Sequence, residues 1–174
     1  MPEISSKPSS VPGRASPLFL RESEIRHGVE LLYFGYSHLV SSADSLLAQH
    51  KLGRAHHRAL HFIARRPGLP VFELLRLLGI TKQALSRILI DLVRENFVLQ
   101  KVGTSDRRQR RLHLTPAGAE LEAALFALLR NHMAAAYAQA GQEAVTGFWA
   151  VLSGLIPPED RAMIAALAQP ARED

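Results

Sequence analysis

The sequence predicts a mainly α-helical chain with one small β-hairpin, and three observations carry that prediction. Apolar residues recur at helical spacing over most of the 174 residues. The period drops to two only around residues 98–102 and 111–114. Gly or Pro stands where one helical stripe ends and the next begins. Hydrophobic residues make up 47% and charged residues 21%, close to the globular average, so one folded domain with extensions is expected. The chain has no cysteine, which excludes disulfides, thiolate zinc sites, iron–sulfur clusters and thiol redox switching. No apolar run approaches the roughly 20 residues of a membrane span, and the N-terminus lacks a signal-peptide pattern, so a cytoplasmic protein that does not enter the membrane is expected.

The first 17 residues hold Pro2, Pro8, Pro12 and Pro17 among five serines, and residues 1–20 read as a flexible tail. From Arg21, the residues Ile25, Val29, Leu32, Tyr36, Leu39, Ala43 and Leu46 step by 4 and 3 in turn. This predicts one long helix within 21–50, serving either an intramolecular core or a surface shared between two copies. Gly53 separates it from a helix with Leu60, Ile63 and Ala64 on its apolar face, stopped by Arg65-Arg66-Pro67-Gly68. A short helix from about Val71 to Leu78, apolar at Phe72, Leu74, Leu75 and Leu78, ends at Gly79. Thr81 can cap the next, whose inner face is Leu85, Ile88, Leu89, Leu92 and Val93; its outer face carries Lys82, Gln83, Ser86, Arg87, Ile90 and Arg94. Short helix, glycine turn and amphipathic second helix form a helix-turn-helix pattern.

Two strands follow, around Val98–Val102 and Arg111–Leu114, joined by the charged stretch from Gly103 to Gln109. Thr115-Pro116 starts a helix with Leu121, Leu125, Leu128, Leu129 and His132 on its inner face. Gly141 ends it, and a further helix carries Val145, Phe148, Trp149, Leu152 and Ile156. Pro157-Pro158 precedes a last short helix with Ile164 and Leu167. A helix-turn-helix followed by a basic hairpin is the winged arrangement. The expected divisions are a winged helix-turn-helix at 51–115, C-terminal helices at 116–169 and a tail at 170–174.

The net charge of +5 is unevenly spread: Arg54 to Arg111 carries +9 and the remainder −4, which favours nucleic acid over a membrane surface as the anionic partner. A helix fits the major groove of double-stranded DNA, where Gln83 can read adenine and Arg87 guanine, with Ser86 a less selective contact. Thr81, Lys82 and Arg94 suit phosphates. Of Arg107, Arg108, Arg110 and Arg111 on the hairpin, Arg108 is placed to approach a minor groove or backbone. Asp106 either orients an arginine or bonds local turn amides.

Asp106-x-Arg108-x-x-Arg111 followed by Leu112-His113-Leu114-Thr115-Pro116-Ala117-Gly118 resembles the wing and following helix of the MarR family of bacterial transcription regulators. Leu77 through Arg87 resembles the family's helix-turn-helix, and Leu52 through Leu60 fits more loosely, with Gly53 where the family often has a hydroxyl residue and His56-His57 where it has other types. The resemblance spans roughly Glu22 to Leu167. It implies a homodimer interlocked through N- and C-terminal helices, a near-palindromic operator read by one helix and one wing per subunit, and repression as the commoner behaviour.

The histidines raise a separate question. His57 and His61 have the i, i+4 spacing that can present two imidazoles to one metal, but no HExxH motif or carboxylate cluster accompanies them. The alternatives are metal or haem sensing and ordinary packing histidines. A small-molecule effector is the other expectation, with Tyr33, Tyr36, His57 and His132 as candidate lining; no cofactor is called for. The competing function is a general or architectural duplex-binding protein. An enzyme is not expected, since no Ser/His/Asp set, paired carboxylates or phosphate-binding glycine loop is present.

Overall fold

The structure, a computed structural model, describes residues 16–103 and 109–167. The expected N-terminal tail, apart from its last residues, and the C-terminal tail lie outside the described residues, as do Asp106, Arg107 and Arg108. The chain divides into two compact units, the first ending at His38 and the second beginning at Leu39.

In the first unit, Pro17–Leu20 forms a 3-10 turn rather than tail, because Ser16 Oγ accepts from the Leu18 N–H at 3.4 Å and proline suits the first helical position. Helix α1, Glu22–Ser41, follows and carries its last three residues into the second unit. Glu22 and Glu24 in its first turn complement the helix dipole, and Arg26 pairs with Glu22 at 2.6 Å. Ile25, Val29, Leu32 and Tyr36 are all exposed in this chain.

The expected single helix through Leu46 is instead two. Ser42 Oγ donates to the Leu39 carbonyl at 2.7 Å and the Ala43 N–H to Val40 at 3.3 Å, so the last turn tightens and α1 stops. Helix α2, Asp44–Gln49, then follows, with Ala43 and Leu47 buried and Asp44 paired with Arg54 at 2.6 Å. The heptad spacing carried no sign of this break, since Ser42 and Ala43 are both tolerated inside a helix.

Helix α3, Arg54–Arg65, buries Ala59, Leu60 and Ile63 at the centre of the second unit. A two-residue strand β1, Leu69–Pro70, leads into α4, Val71–Leu78, and Gly79 at φ +63° turns the chain towards α5, Lys82–Arg94. Strands β2, Val98–Val102, and β3, Arg110–Leu114, pair antiparallel with Gln100 opposite Leu112 and Lys101 opposite Arg111. The sheet order is β1-β3-β2, with Leu69 opposite Leu112. β1 was not expected from the sequence, because two residues show no period and Pro70 can serve only at a strand edge.

Leu60, Ile63, Leu69, Leu74, Leu85, Leu92, Leu112 and Leu125 are fully buried together, so α3, α4, α5, the sheet and the start of α6 share one core. Full burial of a leucine contributes roughly 2–3 kcal/mol, which makes this stripe the main support of the lobe. Three residues expected on inner faces are exposed: Phe72 at 61%, Val93 at 42%, and His132 on the helix that Thr115-Pro116 starts. Phe72 lies two residues before Leu74, about 200° round the helix, and Val93 is one step of about 100° beyond Leu92.

Helices α6, Pro116–Ala140, α7, Gln142–Leu155, and α8, Pro158–Leu167, complete the chain. The start of α6 is tied to the base of the wing. Thr115 donates its N–H to Phe97 O at 3.0 Å and its hydroxyl to Asn96 O at 2.6 Å, while the same hydroxyl accepts from the Gly118 N–H at 2.9 Å. A Cβ on Gly118 would stand 2.0 Å from the Phe97 carbonyl oxygen, so only glycine fits. Gly118→Ala is therefore expected to lower stability by about 1–3 kcal/mol, read from the urea midpoint; an unchanged midpoint would contradict this packing.

Candidate nucleic-acid interface

The interface is built on α5 and the strands beside it. Thr81 caps α5, accepting from the Ala84 N–H at 3.2 Å, and its role in the structure is the expected cap. Leu85, Ile88, Leu89 and Leu92 bury one face, which leaves Lys82, Gln83, Ser86, Arg87 and Ile90 exposed on the other. These divide into two stripes. Lys82, Ser86 and Ile90, at i, i+4 and i+8, border a groove of about 590 Å³ whose other walls include Phe72 of α4 and Gln100 and Arg110 of the strands. Gln83 and Arg87 lie on the neighbouring stripe, outside the groove's lining.

The segment's +9 charge is mostly engaged within the protein. Arg54 pairs with Asp44, and Arg58 Nη2 donates to the Leu78 carbonyl at 2.8 Å, closing the end of α4. Arg65 donates to Leu167 O at 2.6 Å, Arg66 pairs with Glu73, and Arg76 pairs with Asp160 at 3.0 Å. Arg94 is held by Asp91 and Glu95, each at 3.0 Å, and these carboxylates push its pKa up, the Glu95 hydrogen bond most. Arg111 is half-buried, with Nη1 donating to Gly68 O at 3.3 Å and Nε buried without a partner. Among the described residues, Lys82, Arg87, Lys101 and Arg110 are the cations of this segment without a hydrogen bond or ion pair to the protein. All four lie on α5 or the paired strands. Charge counting along the sequence does not separate these from the paired arginines, because the partners are distant in sequence.

The histidines are placed differently from one another. His57 is buried, and burial, then the neighbouring His61, lowers its pKa below the ordinary 6.5. His61 Nδ1 lies 3.2 Å from Glu122 Oε1 and its ring stacks on Phe126. His113, on β3, is also lowered, by burial first and then by Lys101 and Arg111. No group of three or more His, Asp or Glu side chains among the described residues is arranged to hold a metal ion. Of the candidate effector lining, Tyr33 and Tyr36 are exposed in the first unit. In the second, His57 is buried and His132 Nδ1 lies 3.0 Å from its own helix's Leu128 carbonyl. Sequence reading missed His56, Arg58 and Asp91, whose partners are backbone groups and side chains on other elements. Only the position of His56 three residues after Gly53, at a helix start, signalled a cap.

The MarR family profile matches residues 50–111, which takes in α3, the helix-turn-helix, β2 and the start of β3. The HTH-type transcriptional regulator PetP of Rhodobacter capsulatus is 45% identical over 153 residues, 88% of this chain and 92% of PetP. The chain belongs to the MarR family. It is a DNA-binding transcriptional regulator of the winged helix-turn-helix type. Among solved structures, the S. aureus MepR–DNA complex superposes with a TM-score of 0.61 at 22% identity, covering 72% of this chain and 94% of MepR. NadR in complex with 4-hydroxyphenylacetate gives 0.63 at 21% identity, covering 89% of this chain and 97% of NadR. Both show that the fold is shared. No helix among the described residues is long and apolar enough to cross a membrane.

The buried, neutral His57 sets a pH dependence. Its folded pKa is below its unfolded value, so its contribution to stability is intact above about pH 6.5 and is lost as pH falls through the window below it, where the unfolded chain takes up the proton first. Urea unfolding at pH 7.5 and 5.5 is expected to show lower stability at 5.5, with His57→Gln flattening the difference; an identical slope in the variant would contradict this burial effect.

Proposed function

We propose that this regulator acts as a homodimeric, sequence-specific repressor in the cytoplasm, binding a near-palindromic operator with one α5 and one wing per subunit. The observation that carries the reading is the restriction of the described unpaired cations of Arg54–Arg111 to α5 and the paired strands. In this reading Gln83 and Arg87 meet base edges, with Ser86 beside them. Thr81, Lys82 and Arg110 meet phosphates, as do Arg94 from its carboxylate support and Arg107 and Arg108 from the wing. Asp106 orients a wing arginine, and Arg111 acts from its half-buried place against Gly68.

The dimer is supported by apolar exposure. Ile25, Val29, Leu32 and Tyr36 on α1, and Phe148, Trp149 and Ile164 on α7 and α8, are large apolar side chains open to solvent in a single chain. Exposed apolar side chains of that kind, on each unit separately, mark an interaction site, and a second copy supplies the partner. Response to a small organic molecule belongs to the same reading, and NadR has been solved with such a ligand.

Genomic fragments selected by the purified protein supply the operator for the test. Arg87→Ala is expected to weaken operator binding by about 1–3 kcal/mol and to relax one base preference, whereas Arg108→Ala weakens binding evenly across sequences. Unchanged affinity in both variants would remove the assignment. The combined Val29→Glu and Leu32→Glu chain is expected to elute at half the wild-type mass in light scattering; a monomeric wild type would end the dimer reading.

A further inference from the structure

Helix α5 is seated by apolar contacts that resist separation but have little directionality, so its rotation about its own axis needs polar fixation. Near its start this comes from the Thr81 cap and from Arg58, which holds the α4 carbonyls at the turn before it. Near its end it comes from Asp91. One oxygen of Asp91 lies 3.3 Å from His56 Nε2 and the other 3.0 Å from Arg94 Nη2. His56 Nδ1 accepts the Gly53 N–H at 3.1 Å, so that nitrogen carries no proton and the ring's N–H is at Nε2, pointed at Asp91. The imidazole is thus fixed at both nitrogens, one to Gly53 at the cap of α3 and the other to Asp91 in the last turn of α5. Its side chain is only 16% exposed, which shields the contact from water.

We propose that His56 is a positioning residue for DNA reading, holding the far end of α5 on α3 through Asp91 and, by the same carboxylate, directing Arg94. The proposal rests on the reading of α5 as the helix that enters DNA. Its consequence is that sequence preference, rather than fold stability, depends on this imidazole. Glutamine can reproduce both bonds, its carbonyl accepting from Gly53 and its amide donating to Asp91, whereas leucine reproduces neither.

The experiment measures the ratio of affinities for the selected operator and a random duplex, together with the thermal midpoint, in wild type, His56→Leu, His56→Gln, Asp91→Ala and the His56→Leu/Asp91→Ala double variant. His56→Leu is expected to lower the ratio about tenfold at a midpoint close to wild type, and His56→Gln to restore it. The double variant should fall no further than the worse single one, since both remove the same link. Should His56→Leu fail to fold, Asp91→Ala decides: a fall in its ratio supports the link, and an unchanged ratio overturns it. Equal losses for operator and random duplex, failure of glutamine to rescue, or additive losses in the double variant would also overturn it. A wild type without operator preference overturns the underlying reading of α5, and is seen in the wild-type arm alone.

Discussion

The position of the wing beside α5 depends on the step from Thr115 to Gly118. There the end of β3 and the first turn of α6 close against the Asn96 and Phe97 carbonyls, which follow α5 and precede β2. The hairpin therefore leaves and returns at one fixed point. Three hydrogen bonds at a buried threonine, and a glycine with no room for a side chain, replace the apolar area that a two-strand hairpin lacks on its own. With that point fixed, Leu112 pairs with Leu69 and Gln100 and closes the core under α5. Local backbone geometry thus sets the spacing between α5 and the paired strands beside it.

Helix α3 extends the same constraint through the lobe. Its apolar stripe is buried, while its polar residues reach other elements: His56 to α5, Arg58 to the end of α4, His61 to α6 and Arg65 to α8. Each is a modest interaction, worth about 0.5–1.5 kcal/mol for a neutral hydrogen bond and somewhat more where a charge takes part. Their value lies in direction. The arrangement spends most arginines of the lobe on internal carbonyls and carboxylates and leaves unpaired cations on α5 and the strands. A surface organised in this way concentrates positive potential where a phosphate backbone can reach it.

Much of this was legible in the sequence where the signal is local. Gly79, Thr81, Thr115 and Gly141 mark helix boundaries because positive φ and hydroxyl capping need particular residue types, and α4 runs from Val71 to Leu78 as its spacing predicts. The winged helix-turn-helix order followed from those boundaries and from the change of period at Val98. What the sequence did not show depends on distant partners. The end of α1 at Ser41 comes from a hydroxyl bonding one carbonyl and from the core drawing in Ala43. Strand β1 exists only because Leu112 lies opposite Leu69. The candidate site was legible as a face of α5, but not as two stripes. The division between paired and unpaired arginines was not legible, since a charge count is blind to a carboxylate or carbonyl many residues away.

Under the proposed function this lobe reads sequence and does not merely hold duplex DNA. The most direct measurement is the affinity of the purified protein for its selected genomic fragment and for a random duplex of equal length, at one physiological salt concentration. A ratio of about a thousand or more in favour of the fragment is the predicted result. Equal affinity for the two duplexes would contradict the account and leave a general duplex-binding protein in its place.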